Sequence, residues 1–374
     1  MLRIRQKHPG NITVLAALLM VVLLAVVALA VDVGMLYIGR TELQRTADAS
    51  AMAAAWELLE SNAQAQKLSP RKLESRVRSK ARQFAELNST QAKRLRLGSE
   101  DVELGYMSNP SNPASTFETG AAQPKNSVRV VVQRSEQRNG QLPLFFARVL
   151  GFSKSSVAAE ATASANVNFN GFQPPSDGSN LPLLPFALDQ ETWQALLSGN
   201  GKDEYRYDPK TKTVSPGKDG IREFNLYPQD TGSAGNRGTV DIGNSNNSTA
   251  DLARQITGGI TAADLDHFGG RLEFNDQGKL YLNGDTGLSA SLGKSLAKIE
   301  GQPRMVPVFS QVEGSGNNAT YTIVEFVGIR IMQAELTSGD KRLIVQPAAV
   351  VTLGGIPSDS PHTDFIYSPV RLVR

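Results

Sequence analysis

The chain has 374 residues, which suffice for a membrane anchor and two folded domains of ordinary size. With 39 basic and 36 acidic side chains, its net charge of +3 is too small to indicate a dedicated nucleic-acid-binding protein. Cysteine is absent and only three histidines occur, which excludes thiolate metal sites, disulfides and a Cys nucleophile and disfavours histidine-based catalysis. We therefore expect a non-enzymatic protein with no catalytic residues, no metal site, no cofactor and no nucleic-acid partner.

The first element in the chain is an apolar segment long enough to cross a membrane. Residues 12–31 carry no charge, and at ~1.5 Å per residue a helix of this length spans the roughly 30 Å hydrocarbon layer. The residues before it are basic without an acid among them (Arg3, Arg5, Lys7), and Asp32 follows it at once. The positive-inside rule then predicts a single pass, a cytoplasmic N-terminus and an extracytoplasmic bulk. Two alternatives are a buried helix of a soluble domain and a signal peptide cleaved after the small residues at 28–30.

The helical pattern continues beyond the apolar segment. Apolar residues keep a helical spacing up to Leu58, and no proline occurs before Pro70. Ala47, Ala51 and Ala55 are four residues apart, so they form a stripe of small side chains that another helix can approach closely. The stripe serves either a partner's helix or packing on the protein's own domain, and the sequence leaves both open. A helix of about fifty residues, half of it in lipid, has the form of a pilin-like subunit or its anchor.

This part of the chain resembles the N-terminal signature of the TadE/TadG-like proteins of tight-adherence (Flp-type) pilus assembly in bacteria. The residues that carry the resemblance are Gly10-Asn11-Ile12, the apolar span, Val31-Asp32-Val33-Gly34, Leu43-Gln44, Ala47-Asp48-Ala49 and the alanine-rich run 51–55. The resemblance implies a non-enzymatic, single-pass protein of the bacterial inner membrane. Its partners would be membrane lipid, through the anchor, and pilus-assembly or other envelope proteins.

Two departures from the family limit what the resemblance implies. Pilins of this type are cut after a glycine that lies five residues before a glutamate, whereas Leu15 occupies that position after Gly10. The larger members carry a von Willebrand A-type domain whose metal site uses Asp-x-Ser-x-Ser, and this triplet does not occur in the chain. We therefore expect neither processing by a prepilin peptidase nor a metal-dependent adhesion site.

Residues 61–170 have the pattern of a small α+β layer. A segment rich in Lys and Arg begins at Pro70 and predicts a basic amphipathic helix, whose cationic face is either solvated or placed on anionic lipid headgroups. Strands are expected at 102–106, 128–133 and 156–167, and a short helix at 142–150 that ends at Gly151. Residues 171–180 have the composition of a linker.

Residues 181–374 are expected to be mostly β, with short helices. The pattern predicts a helix at 192–197, a hairpin at 205–214 and a strand at 222–227. The clearest hairpin joins 272–274 to 280–282 through the turn residues 275–278. Three long apolar runs (306–309, 321–336 and 343–353) should pair as core strands, with Gly328 as a bend in the second.

Several groups in this half allow a functional interpretation beside a plainer one. The loop 243–249 either holds an anion or is an ordinary loop whose Ser248 or Thr249 caps a helix. Four acids (Asp264, Asp266, Asp276, Asp285) are either Ca²⁺ ligands or turn and surface residues, and their spacing matches no twelve-residue calcium loop. Residues 287–291 resemble a serine elbow around Ser289 but lack its second glycine and a histidine to activate the serine. Four aromatic residues would stack on sugars if they are exposed: Trp193, Tyr205, Tyr207 and Tyr227.

The sequence thus predicts an α+β protein with a single transmembrane helix that continues into a long pilin-like helix, a small α+β layer and a mostly β C-terminal domain. The expected division is 1–60, 61–170, a linker at 171–180, and 181–374. The function we expect is assembly or tethering of a tight-adherence pilus. The alternative is an anchored module that binds an envelope glycan or another surface ligand, and an envelope hydrolase is disfavoured.

Overall fold

A computed structural model describes residues 11–63, 69–90, 93–121, 123–226, 238–243, 248–285, 289–314, 319–336, 342–358 and 363–373. Its internal contacts divide the chain into two compact units. The first comprises Met1–Ala53, Ser79–Glu103 and Arg129–Thr162, and the second comprises Ala54–Arg78, Leu104–Val128 and Ala163–Arg374. The division at residues 60, 170 and 180 stays a prediction, although Gly171 and Phe172 of the expected linker lie in a strand. The α+β class expected from the sequence is confirmed.

Helix α1 runs without interruption over Asn11–Ala63, 53 residues. Its first part exposes its large apolar side chains, from 84% for Ile12 to 43% for Val31. From Leu43 onward one face is buried, because small and apolar residues recur there at steps of three and four. The predicted continuation of the apolar segment into a long helix is therefore confirmed.

Helix α2, Pro70–Leu87, begins at the proline that the sequence marks as the first helical residue. The strands of this part of the chain are β1 (Ser89–Thr90), β2 (Lys93–Arg94), β3 (Val102–Gly105), β4 (Ser127–Arg134), β5 (Leu142–Pro143), β6 (Lys154–Ser155) and β7 (Val157–Ser164). Strands β7, β4 and β3 lie side by side in that order. Strand β4 forms because its valines alternate, so that Val128, Val130 and Val132 all point into the core.

The helix predicted for residues 142–150 is wrong in its first half. Leu142 and Pro143 form β5, which pairs antiparallel with β6, and only Ala147–Leu150 are helical, as one 3₁₀ turn. Pro143 disfavours a helical conformation at the residue before it and lacks the N–H that a helix needs. The predicted end at Gly151 is confirmed, because this residue has a φ of 89° and closes the turn in the left-handed region.

The described residues from 163 to 373 form mostly strands, with four short α-helices among them. The strands are β8 (Phe169–Phe172), β9 (Leu188–Asp189), β10 (Tyr205–Asp208), β11 (Thr213–Pro216), β12 (Phe224–Asn225), β13 (Thr239–Val240), β14 (Leu272–Glu273), β15 (Leu280–Asp285), β16 (Pro303–Glu313), β17 (Ala319–Glu335), β18 (Arg342–Pro347), β19 (Val350–Val351), β20 (Gly355–Pro357), β21 (Thr363–Asp364), β22 (Ile366–Tyr367) and β23 (Arg371–Val373). The helices are α3 (Gln190–Leu197), α4 (Thr249–Gly258), α5 (Ala262–Leu265) and α6 (Gly293–Ala297). Helix α3 and the β10–β11 hairpin are where the sequence predicts them.

The 17-residue strand β17 organises the main sheet. The strands follow the order β12-β18-β17-β15-β13, and β16 pairs antiparallel with the N-terminal two thirds of β17. Strands β9 and β21 join it in parallel to β16 and β17. The predicted pairing of the three long apolar runs is confirmed, and β17 is largely buried along its length.

Two details of this half differ from the sequence expectation. The expected hairpin of residues 272–282 does not form: the turn closes, with the Gly278 N–H donating to Asn275 O at 2.8 Å, but β14 pairs with β8 and β15 pairs with β17. Strand β15 pairs with β17 over five residues. This pairing, in the main sheet, stabilises β15 more than pairing with β14 across the local turn would. Gly328 is not a bend either, since it pairs with Met305 in a regular stretch of the β16–β17 register. A Cβ there would collide with the backbone oxygens of Ala348 and Phe365. This glycine allows close approach of neighbouring chain segments.

Candidate functional site

The candidate site is the first part of α1 together with the segment after β5, whose backbone is hydrogen-bonded to Asp32 of this helix. Among the described residues, α1 is the one helix long and apolar enough to cross a membrane, and none of its most apolar window is buried in the protein. A run of large apolar side chains exposed on all sides of a helix is unfavourable in water and favourable in a bilayer.

Asp32 marks the point at which the apolar run of α1 ends. Its carboxylate accepts hydrogen bonds from the backbone N–H groups of Phe145, Phe146 and Ala147, at 2.7, 3.0 and 2.6 Å. These N–H groups lead into the 3₁₀ turn Ala147–Leu150, whose first donors have no partner within the turn. The acid therefore fixes the segment after β5 against α1 at the end of the apolar run.

Two further contacts hold α1 in the first unit. A Cβ on Gly39 would overlap Cδ1 of the buried Leu142, so the absent side chain lets β5 lie against the helix. One and a half turns later, Gln44 Nε2 donates to Glu160 O of β7 at 2.9 Å and to Asp48 Oδ1 at 2.8 Å. The helix is thus attached along three successive turns after the apolar run.

The small-residue stripe lies inside the fold. Ala47 and Ala51 are fully buried and Ala55 is 1% exposed without any partner chain present. This burial agrees with the second of the two alternatives, packing on the protein's own domain. Contact between this stripe and a partner's helix stays a prediction, and in the described arrangement the three methyl groups are covered by the chain itself.

The amphipathic helix α2 uses part of its positive charge within the protein. Arg76 pairs with Glu57 of α1 at 2.9 Å, and Glu74 accepts a hydrogen bond from Lys125 at 3.0 Å. Arg71 and Lys72, in its first turn, are exposed. Exposed ion pairs of this kind contribute roughly 0–1 kcal/mol each, so they orient α2 more than they stabilise it. Contact of its remaining cations with lipid headgroups stays a prediction.

Two family models match this part of the chain. Residues 10–57 match the family described as putative Flp pilus-assembly TadE/G-like, and residues 53–163 match the family described as putative Tad-like Flp pilus-assembly. Together the two matches cover residues 10–163. No significant similarity to a curated protein or to a solved structure is found. The resemblance read from the sequence is thus confirmed, and together with the apolar helix it supports a pilus-associated membrane protein.

The structure gives several signature residues of the TadE/G-like region a physical role. Asp32 caps the segment after β5, Gln44 bonds the backbone of β7, and Leu43 and Ala47 are buried. Gly34 is different, since a Cβ there would meet nothing within 4 Å. Most of the signature on the folded half of α1 therefore serves to attach the helix to its domain.

Of the four aromatic residues considered for sugar stacking, the structure describes Trp193, Tyr205 and Tyr207, and each of these three has a contact within the protein. Trp193 is buried, donates from Nε1 to Asp364 Oδ2 at 3.1 Å and packs edge-on against Phe365. The guanidinium of Arg330 covers the ring of Tyr207, 3.7 Å from its centroid. Tyr205 donates its hydroxyl to Gln333, and Tyr227 lies outside the described residues. Of the two positions that the sequence leaves open for Trp193, exposed or core, the structure shows the core position.

The capped-loop interpretation of residues 243–249 agrees with the structure. Ser248 caps α4 by accepting a hydrogen bond from the Asp251 N–H at 3.2 Å, while residues 244–247 lie outside the described part. Arg254 of α4 pairs with both Asp251 and Asp264, at 2.7 and 2.6 Å. The first cationic side chain after the loop is therefore already neutralised within the protein.

The acids proposed as calcium ligands have other roles where the structure describes them. Asp264 forms a capping box with Thr261 at the start of α5. Burial alone would raise the pKa of Asp264, but hydrogen bonds from Arg254 and Thr261 hold it below its ordinary value. The described residues contain no group of three or more His, Asp or Glu that could hold a metal ion.

The serine-elbow interpretation has no support in the described geometry. Ser289 Oγ lies 2.7 Å from Ser291 Oγ and precedes a short 3₁₀ turn, and residues 286–288 lie outside the described part. A nucleophilic serine needs a base within hydrogen-bond reach, and another serine cannot serve as one.

The main sheet contains a pair of carboxyl groups that was not predicted from the sequence. Glu325 of β17 and Asp364 of β21 share a hydrogen bond, and burial together with the charge of Asp364 raises the pKa of Glu325 to about 9. Burial and the same Asp364 also raise the pKa of Tyr367. The available signal was Glu325 in the interior of the apolar run 321–336, where an acid has to be neutral or paired; the second glutamate of the run, Glu335, lies near its end.

Proposed function

We propose that this chain is a non-enzymatic, single-pass protein of the bacterial inner membrane that takes part in assembling or tethering a Flp-type pilus. Its N-terminus lies in the cytoplasm, and the folded residues that follow the apolar run of α1 lie on the opposite side of the membrane. The observation that supports this most strongly is the continuity of α1: one helix carries an exposed apolar half and a half built into a TadE/G-like fold.

The mechanism follows from the stiffness of a continuous helix. A helix of this length transmits position along its axis, and three contacts (at Asp32, Gly39 and Gln44) hold the first unit to it. Because the alanine stripe is covered, the surface of α1 that is open to a partner's transmembrane helix is the exposed apolar half. Van der Waals packing there would link the folded units to the pilus-assembly machinery in the same bilayer.

A block replacement of residues 12–31 tests this mechanism. We expect an equally long segment of mixed leucine and alanine to keep the full-length protein in the membrane. Its co-purification with the Flp-type pilus proteins of the same bacterium should fall by about tenfold or more, equivalent to ~1.4 kcal/mol of lost contact energy.

The control for this replacement keeps the natural residues on one half of the helix circumference at a time. One of the two half-replacements should behave like the parent protein if a specific face carries the contact. Unchanged co-purification of the full block replacement would contradict the mechanism and assign partner binding to the folded units.

A further inference from the structure

The segment whose backbone N–H groups donate to Asp32 exposes an unusual amount of apolar surface. Among residues 145–152, five large apolar side chains are exposed, from 48% for Phe146 to 90% for Val149 (Phe145, Phe146, Val149, Leu150, Phe152). We call residues 145–152 the apolar loop. Contiguous apolar surface of this kind on a soluble face is rare, and where it occurs it marks an interaction site.

The position of the apolar loop points to lipid as its occupant. Asp32 directly follows the membrane-spanning run of α1, and its carboxylate holds the backbone of the apolar loop at this level of the helix. Val33, Tyr37 and Ile38, in the next turns of α1, are exposed as well. Tyrosine and phenylalanine at the end of a transmembrane helix favour the boundary between headgroups and acyl chains.

Six of the eight backbone N–H groups of the apolar loop have hydrogen-bond partners within the protein, which suits a segment in a lipid boundary. Three of its N–H groups donate to Asp32. The N–H of Val149 donates to Phe146 O, that of Gly151 to Arg148 O and that of Phe152 to Ala147 O, at 3.0–3.1 Å. Unpaired backbone donors are costly where water is scarce, so this pattern suits partial insertion better than a solvated loop.

The charges near the apolar loop favour an anionic membrane surface. Arg148 and Lys154 are exposed, and no acid occurs between Leu142 and Ala159 in the sequence. The carboxylate of Asp32, which contacts the apolar loop, balances one of these two positive charges and leaves a net positive charge. Long cationic side chains reach back to headgroups while neighbouring apolar residues enter the acyl region. The combination of three phenylalanines with two cations is typical of segments that lie in the plane of the interface.

We propose that the apolar loop inserts into the outer boundary of the same bilayer that α1 spans, with anionic lipid headgroups bound by Arg148 and Lys154. The first unit then has two attachments to the membrane, the helix and the apolar loop, and the second fixes its height and rotation at the bilayer surface. This inference rests on the membrane-spanning helix and is independent of any role in pilus assembly.

Site-directed spin labelling tests this proposal, and the absence of cysteine makes every introduced cysteine unique. Full-length protein carrying Val149→Cys or Leu150→Cys is labelled with a nitroxide and reconstituted in phosphatidylcholine vesicles with and without phosphatidylglycerol. We expect both labels to collide more with oxygen, which concentrates in lipid, than with a water-soluble nickel complex. The preference should strengthen with phosphatidylglycerol.

Two labelled positions calibrate the scale. Leu23→Cys lies within the apolar run and defines the lipid limit. Leu87→Cys defines the aqueous limit: it is as exposed as Leu150, 74% against 76%, but has polar neighbours in Glu86 and Asn88. Labels at 149 and 150 that behave like the label at 87 would overturn the proposal. Low accessibility to both reagents would overturn it too, because it would assign the apolar loop to a protein contact.

Discussion

At the scale of single residues, two glycines in the same helix have opposite physical roles. Gly39 provides the space for Leu142 and therefore for the docking of β5 on α1, whereas Gly34 faces open space. At a helix position with free space around it, alanine stabilises the helix by about 1 kcal/mol relative to glycine. At position 39 an alanine would also displace the buried Leu142, and this cost opposes the gain in helix stability.

The pair Gly39→Ala and Gly34→Ala measures this difference. We expect Gly39→Ala to lower the free energy of unfolding by about 1–3 kcal/mol, the usual cost of overpacking, and Gly34→Ala to leave it unchanged or raise it slightly. Thermal unfolding of the full chain in detergent, followed by circular dichroism, gives both values. Equal shifts in the same direction for the two variants would contradict the docking of β5 on α1 described above.

Contacts between residues that are distant in the chain could not be predicted from the sequence. The sequence indicated Asp32 as the end of the apolar run but not its three backbone partners, because these lie more than a hundred residues away in the chain. The exposure of Phe145 and Phe146 could not be predicted for the same reason: a short apolar run indicates a helix but does not show which of its side chains remain exposed. The position of Trp193 was left open because its partner Asp364 lies 171 residues away in the chain.

At the scale of elements, long and strongly periodic segments were predicted well. The bounds of α2 and the pairing of β16, β17 and β18 follow from patterns that extend over ten or more residues. The shorter segments depended on distant partners: β14 and β15 each joined a strand far away in sequence rather than each other. Local turn signals determine a turn, whereas the pairing of its two arms depends on which apolar surface is available in the whole fold.

The carboxyl pair between β17 and β21 makes the stability of the sheet depend on pH. Glu325 has a raised pKa of about 9 in the folded protein against an ordinary value of 4.5, so the folded state retains a proton that the unfolded chain releases between these values. Folding stability must then fall as the pH rises through this window. With about 1.4 kcal/mol for each pKa unit and partial solvent access, we expect a loss on the order of 2–4 kcal/mol.

The variant Glu325→Gln should remove most of this dependence, because glutamine keeps the hydrogen bond and carries no ionisable proton. The difference in unfolding midpoint between Glu325→Gln and the parent protein should be small at pH 5 and grow steadily in favour of the variant toward pH 9. Glu313→Gln, at the exposed end of β16, is the matched control and should follow the parent protein. A difference that is constant over this pH range would contradict a protonated Glu325.

At the scale of the whole molecule, the chain combines residues 10–163, which match families of Flp pilus assembly, with a C-terminal part that neither family model covers. The family matches end at residue 163, and the β-rich residues beyond it have their own core around β17. The proposed anchor in the apolar half of α1 and the proposed insertion of the apolar loop place the bilayer boundary at the same level of α1, next to Asp32.

The central claim is a retained single-pass anchor with the folded residues after its apolar run outside the cytoplasm, and cysteine labelling tests it most directly. Lys7→Cys and Ser176→Cys are introduced separately into the cysteine-free chain and exposed to a membrane-impermeant maleimide in intact spheroplasts. The account predicts labelling at 176 before lysis, labelling at 7 only after lysis, and the full-length mass in the membrane fraction. The reverse labelling pattern, or a shortened protein released from the membrane, would contradict it.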